Sequence, residues 1–164
     1  MATTETQHAI FGAGCFWGVQ FYFDQVPGVT QTTVGYSGGT TENPTYEVVC
    51  THTTGHAEVV QVEFDPEKVD YKTIVRQFFR MHDPTQLNRQ GPDVGDSYRS
   101  VIFCANEEQQ QIAEAVRDEV QPQFDKPIVT QIVQEQPFYR AEEYHQKFTE
   151  KTGQGMCHIP YKPV

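Results

Sequence analysis

A cysteine stands between two glycines in Gly14-Cys15-Phe16-Trp17-Gly18, inside the stretch FGAGCFWGVQFYF at residues 11–23. A strand that stops at Gly14 and a helix that opens at Phe16 set Cys15 beside the unpaired N–H groups of a helix start. Those groups and the helix dipole favour negative charge, which is the condition for a reactive thiolate. The glycines allow a substrate to approach the backbone closely. Cysteine is also a small residue that fills cores, so position alone leaves both readings open. Phe16 and Trp17 divide the same way, as core rings or as walls of a dry pocket for a small apolar group.

A carboxylate is the second candidate. In GHAEVVQVEF (residues 55–64), strand alternation puts Glu58 on one face with Val60, Val62 and Phe64. A glutamate at the end of an apolar row is either a solvated strand end or a buried acid. In the second case desolvation keeps it protonated, as a general acid must be. Tyr46 and Tyr98 each offer an O–H donor for a developing oxyanion, or a packed lid. Asp93 in GPDVGDSYRS orients a hydroxyl or water, or forms a turn. Cys50, His52 and His56 have the spacing C-x-H-x-x-x-H, but no second cluster completes four ligands and no metal site is expected. His145, in EEYHQKF, reads as a solvated histidine in mid-helix.

The surrounding pattern supplies the elements that hold these groups. Strands are expected over His8–Ala13, Val29–Tyr36, residues 56–64, Ser100–Cys104 and Ile128–Gln134. Helices are expected over Phe16–Val26, from an Asp70 cap to Met81, after an Asn106 cap with Ile112, Val116 and Val120 on one face, and over Ala141–Lys151. The first part of this order is βαββαβ, so the expected fold is α+β, a two-layer ferredoxin-like (split βαβ) sandwich. Two long connections, Ser37–Gly55 and His82–Tyr98, are rich in Tyr, His and Asp and read as active-site loops. Residues 152–164 read as a mobile coil tail on a single domain spanning 1–164.

The 164 residues carry a net charge of −10 with acidic groups scattered along the chain, which excludes a nucleic-acid or anionic-membrane surface. The opening MATTETQHAI has neither a basic n-region nor an apolar h-region, so a cytoplasmic location is expected. In that compartment thiols stay reduced and disulfides are transient and catalytic. The four cysteines, Cys15, Cys50, Cys104 and Cys157, make no C-x-x-C.

GCFWG at 14–18 resembles the signature of the peptide methionine sulfoxide reductase A family. The likeness continues through VGYSGG at 34–39, PTYEVVCTHTTGHAEVVQVEFDP at 44–66, HDPTQLNRQGPDVGDSYRS at 82–100 and AEEYHQKF at 141–148. The resemblance implies that Cys15 attacks the sulfur of a methionine S-sulfoxide, protein-bound or free, while Glu58 protonates the departing oxygen. Tyr46 and Tyr98 would hold that oxygen, and Phe16 and Trp17 would enclose the S-methyl group. Cys15 would be left as a sulfenic acid, the reversible rung of cysteine oxidation. A resolving cysteine on the C-terminal tail then points to Cys157, with thioredoxin, or dithiothreitol, restoring both thiols and no cofactor required.

Many relatives carry a second tail cysteine, and this tail has only Cys157. A single relay is therefore expected, with thioredoxin meeting the Cys15–Cys157 bond directly. Cys50 matches a family position and competes as resolver, while Cys104 reads as core filler. Two rivals remain: a cysteine hydrolase or acyltransferase pairing Cys15 with His56 or His145, and a thiol redox sensor without turnover. A monomer is expected.

Overall fold

The computed structural model describes residues 6–153. Strand β1 (Gln7–Ala13) leads into helix α1 (Phe16–Asp24), strand β2 (Val29–Ser37), a short helix α2 (Tyr46–Val49) and strand β3 (Ala57–Phe64). Helix α3 (Tyr71–Met81) follows, then a small hairpin of β4 (Arg89–Gln90) and β5 (Asp93–Val94), strand β6 (Ser100–Cys104) and helix α4 (Glu107–Val120). Strands β7 (Gln131–Gln134) and β8 (Tyr139–Arg140) precede the last helix, α5 (Phe148–Thr152).

These elements form a mixed α/β fold around a mostly antiparallel sheet of order β7-β6-β1-β3-β2-β8; among the described residues only β6 and β7 run parallel. Strand β1 lies at the centre, with Phe11 opposite Val60 on one side and Ile102 on the other. Alternation along the strands sends Phe11, Val60, Val62 and Phe64 into the main core, where Phe11 stacks on Phe23 at 5.3 Å and on Phe78 at 5.1 Å. Helix α3 presents Ile74, Val75 and Phe78 to that core, and α4 presents Ala113 and Val116. Both start where the cap residues predicted: Asp70 accepts from Thr73 N–H and Asn106 from Gln109 N–H, each at 2.8 Å.

The far face of the sheet is not left to solvent, as a plain two-layer sandwich would leave it. Ile10, Ala57, Val59, Val101 and Phe103 form a second, smaller core there, packed against Phe138. Three element boundaries also need correction. The first helix ends at Asp24 rather than Val26, and the strand expected from Ile128 begins at Gln131. The helix expected over Ala141–Lys151 is split into a 3-10 turn at Glu143–His145 and α5.

That split has a physical cause. Gln146 turns inward, its Oε1 accepting from Val34 N–H at 3.0 Å while its Nε2 donates to the Val34 and Ala141 carbonyls at 3.0 and 3.1 Å. Lys147 then takes a left-handed backbone, φ 59°, and its Nζ donates to Asp24 at 2.7 Å. The C-terminal segment is thus clasped onto β2 and α1. Of the tail predicted over 152–164, Thr152 instead closes α5 and Gly153 caps it; the rest, with Cys157, lies outside the described residues.

Among the described residues, no helix is long and apolar enough to cross a membrane. The 37–55 connection contains α2, capped by Thr45, and the 82–98 connection contains the β4–β5 hairpin and a 3-10 turn at Asp96–Tyr98. His82 fixes the root of the latter: Nδ1 donates to the Phe78 carbonyl at 2.7 Å and Nε2 accepts from Ser100 Oγ at 2.7 Å. The two loops are folded structures rather than open coil.

Candidate active site

Cys15 sits between β1 and α1 as the helix N-cap, half-buried, with Gly14 before it in the left-handed region at φ 95°. That turn needs a glycine, because an L side chain is strained there. Phe16 is buried and belongs to the main core, so one ring serves packing and site together. Trp17 is half-buried, stacked on Phe148 at 3.9 Å and facing Tyr46 at 6.4 Å.

Glu58 is only 2% exposed, on the core face of β3 with Val60, Val62 and Phe64. The solvated strand end is therefore excluded. Its Oε1 accepts from the Phe16 N–H at 3.2 Å, which draws the carboxyl to the residue next to Cys15. Burial pushes its pKa up to about 8; the Phe16 N–H works against this, and the nearby charge of Asp93 adds to it. A carboxyl so placed is largely neutral at pH 7 and able to donate a proton.

The tyrosines come from the two loops. Tyr46 opens α2, and its hydroxyl is raised above the usual phenol range by burial, by a hydrogen bond with Cys50 and by the charge of Glu58. Tyr98 closes the 3-10 turn and is raised by burial, then by the charges of Glu58, Cys50, Asp93 and Cys15. Both phenols remain protonated donors. Asp93 begins β5, with Oδ2 buried and lacking a hydrogen-bond partner among the described residues. The structure thus gathers Cys15, Phe16, Trp17, Tyr46, Glu58, Asp93 and Tyr98 at one end of the sheet.

His145 corrects an expectation. It is fully buried rather than solvated, and its Nδ1 accepts from Trp17 Nε1–H at 2.8 Å. The ring also lies 4.4 Å from Tyr46 and 5.2 Å from Phe16. Burial lowers its pKa, opposed by Glu142, and accepting at Nδ1 requires the neutral imidazole.

One further residue escaped the sequence reading. Glu142 accepts from Tyr36 Oη and from the Tyr46 backbone N–H, both at 3.0 Å, and so binds α2 to the sheet. Only the AEEYHQKF likeness pointed to this segment.

The C-x-H-x-x-x-H spacing does not assemble a ligand set. His56 Nδ1 accepts from Gly39 N–H at 3.0 Å and Nε2 donates to the Thr41 carbonyl at 2.6 Å, which pins the 37–55 loop. Among the described residues, no group of three or more His, Cys, Asp or Glu is placed to hold a metal ion. Cys104 is buried, with its thiol raised to about 11 by burial. That is an inert thiol.

The family model of peptide methionine sulfoxide reductase matches residues 7–164. The chain belongs to this family. Peptide methionine sulfoxide reductase MsrA of Acidobacterium capsulatum is 54% identical over 153 residues, covering 92% of this chain and 98% of that protein. Methionine sulfoxide reductase A of Corynebacterium diphtheriae has the same fold, with a TM-score of 0.88 at 35% identity, covering 98% of this chain and 85% of that one. Mxr1 from Saccharomyces cerevisiae in reduced form gives 0.87 at 33% identity, covering 94% and 90%. Mxr1 is also solved in complex with Trx2. Within the reductase family, the gathering of a cysteine, a buried carboxyl and two tyrosines has a reaction to serve.

Proposed function

We propose that this chain reduces the S epimer of methionine sulfoxide, protein-bound or free, to methionine. The observation that carries the reading is Glu58, a carboxyl buried on an apolar face and hydrogen-bonded to the residue beside Cys15. A sulfoxide oxygen is a poor leaving group until protonated, and a neutral acid at that position supplies the proton.

In this reading the Cys15 thiolate attacks the sulfoxide sulfur. An S–S bond forms as Glu58 delivers its proton to the oxygen. The S–O bond then breaks, the oxygen passes as water to Cys15 Sγ, and the S–S bond breaks to release methionine, leaving Cys15 as a sulfenic acid. The sulfoxide gains two electrons and Cys15 loses two. Tyr46 and Tyr98 donate to the oxygen as charge develops on it, and Phe16 and Trp17 enclose the S-methyl group. Asp93 raises the proton affinity of Glu58 and lines the substrate's approach.

Cys157 then attacks the sulfenic sulfur, releasing water and leaving a Cys15–Cys157 disulfide. Cys50, hydrogen-bonded with Tyr46, is the competing thiol, and burial holds it above the usual thiol range. Thiol–disulfide exchange with thioredoxin returns both cysteines to thiols without a further cofactor. The pairing of the yeast relative with Trx2 supports that reductant. The order β6-β1-β3-β2 under α1 and α3 supports a split βαβ reading of the core. We read the chain as one domain, acting as a cytoplasmic monomer.

The hydrolase reading is disfavoured because His56 and His145 are both engaged elsewhere. The test is incubation with racemic methionine sulfoxide and dithiothreitol, followed by chiral analysis. Loss of the S form alone is expected, with Cys15→Ser inactive. An acyl adduct on Cys15 in place of a Cys15–Cys157 disulfide, or turnover by Cys15→Ser, overturns the reading.

A further inference from the structure

The two loops that carry Tyr46 and Tyr98 meet at one side chain. His52 lies in the first loop just beyond α2, tied to it by its own N–H, which donates to the Val49 carbonyl at 3.0 Å. Its imidazole reaches across to the second loop: Nδ1 is 3.3 Å from Ser97 Oγ and 3.6 Å from Asp96 Oδ1. The same ring stands edge-on to Tyr98, with centroids 6.1 Å apart.

Three features mark this as a built contact. Gly95, at φ 140°, makes room for the ring; a Cβ there would lie 2.7 Å from His52 Nδ1. Asp96 Oδ1 is buried without a hydrogen-bond partner among the described residues, while Arg99 Nη1 donates to the Asp96 backbone carbonyl instead, at 2.9 Å. His52 itself has a left-handed backbone, φ 59°, a conformation that glycine adopts more readily. On the far side, Tyr98 N–H donates to the Gly95 carbonyl at 3.1 Å, so the phenol is carried by the turn that His52 touches.

We propose that His52 is a positioning residue, a clasp between the two loops that holds the Tyr98 hydroxyl in place opposite Tyr46. The inference rests on the reductase reading above. His52 touches neither substrate nor the reacting atoms; it acts through Asp96 and Ser97 on the tyrosine that follows them.

The test uses the full-length chain with His52→Gly and His52→Asn. Glycine suits the left-handed backbone, so the thermal midpoint should hold while the clasp is lost. Asparagine tolerates the same backbone and carries a side-chain nitrogen about where Nδ1 lies. His52→Gly should lower the single-turnover rate at saturating sulfoxide about two- to fivefold, the factor equivalent to a half-exposed polar pair. It should also speed hydrogen exchange across residues 93–98. His52→Asn should restore most of both losses, and adding Asp96→Ala to His52→Gly should slow the reaction no further.

An unchanged single-turnover rate in His52→Gly overturns the proposal, as does a loss that asparagine fails to restore. A parent protein that reduces no sulfoxide refutes the reductase reading instead, and the exchange measurement then decides whether the clasp exists.

Discussion

Glu58 Oε1 accepts a hydrogen bond from the backbone N–H of Phe16 at 3.2 Å, across 42 residues of sequence. The bond ties the core face of β3 to the first turn of α1 and holds a carboxyl next to the nucleophile's own residue. Glu58→Gln keeps the shape but removes the transferable proton. Its single-turnover rate should fall about 10²-fold or more, the usual contribution of a general acid, with substrate affinity little changed. Rapid quenching with quantified methionine measures it.

The pH dependence follows from the same group. Glu58 acts in its protonated form and its pKa is raised to about 8, so the reduction rate should fall as pH rises through that value. Asp93→Asn removes a negative charge that favours the proton, and should move the midpoint to lower pH. Stability changes in the same sense. From the ordinary carboxyl range near 4.5 up to about 8, the folded chain holds a proton that the unfolded chain releases, so stability declines with rising pH. Glu58→Gln lacks that decline and should be the more stable protein at pH 8, by on the order of 2–4 kcal/mol in denaturant titration.

The tyrosines can be separated by removing single oxygens. Tyr46→Phe and Tyr98→Phe should each slow sulfoxide reduction by about 10²-fold, the effect of deleting one donor to a developing oxyanion. If both phenols address one oxygen, the double variant should lose less than the product of the single losses. Single-turnover measurements on the three proteins decide it.

Trp17 is the only tryptophan in the chain, so its fluorescence reports on the bond to His145. His145→Ala should shift the emission and weaken sulfoxide binding. Acid should act likewise, because protonated His145 cannot accept from the indole. Burial lowers the histidine's pKa, so its stabilising contribution is present above the ordinary histidine range and is lost as pH falls through the depressed value.

Cys157→Ser should complete one turnover and then stop when thioredoxin is the reductant. Mass spectrometry should find Cys15 as a sulfenic acid or its trapped adduct. Sustained turnover would place resolution on another thiol, with Cys50 the first to test.

The parts of this site legible in the amino-acid order are those that local rules govern. Strand alternation put Glu58 on the face of Val60, Val62 and Phe64, and side-chain caps marked the starts of α3 and α4. Glycine around Cys15 marked the sharp turn. What stayed hidden depends on partners far away: Trp17 with His145 across 128 residues, and Tyr36 and Tyr46 with Glu142 across 106 and 96. Mid-chain histidine and glutamate carry no local sign of such burial. Helical spacing after Ala141 suggested one continuous helix, yet the hydrogen bonds of Gln146 to β2 outweigh that propensity and break it. Strands of two residues, like β8, are too short for any alternation to appear.

The clasp of residues 141–147 onto β2 and α1 has a bearing on biosynthesis. A ribosome that has released the chain only as far as Arg140 has already exposed Cys15, yet Glu142, His145 and Gln146 have not arrived to organise the surroundings of Tyr46 and Trp17. The nascent polypeptide therefore carries its thiol before it owns a working cleft, and chemical competence waits until residues 141–147 have been added and docked.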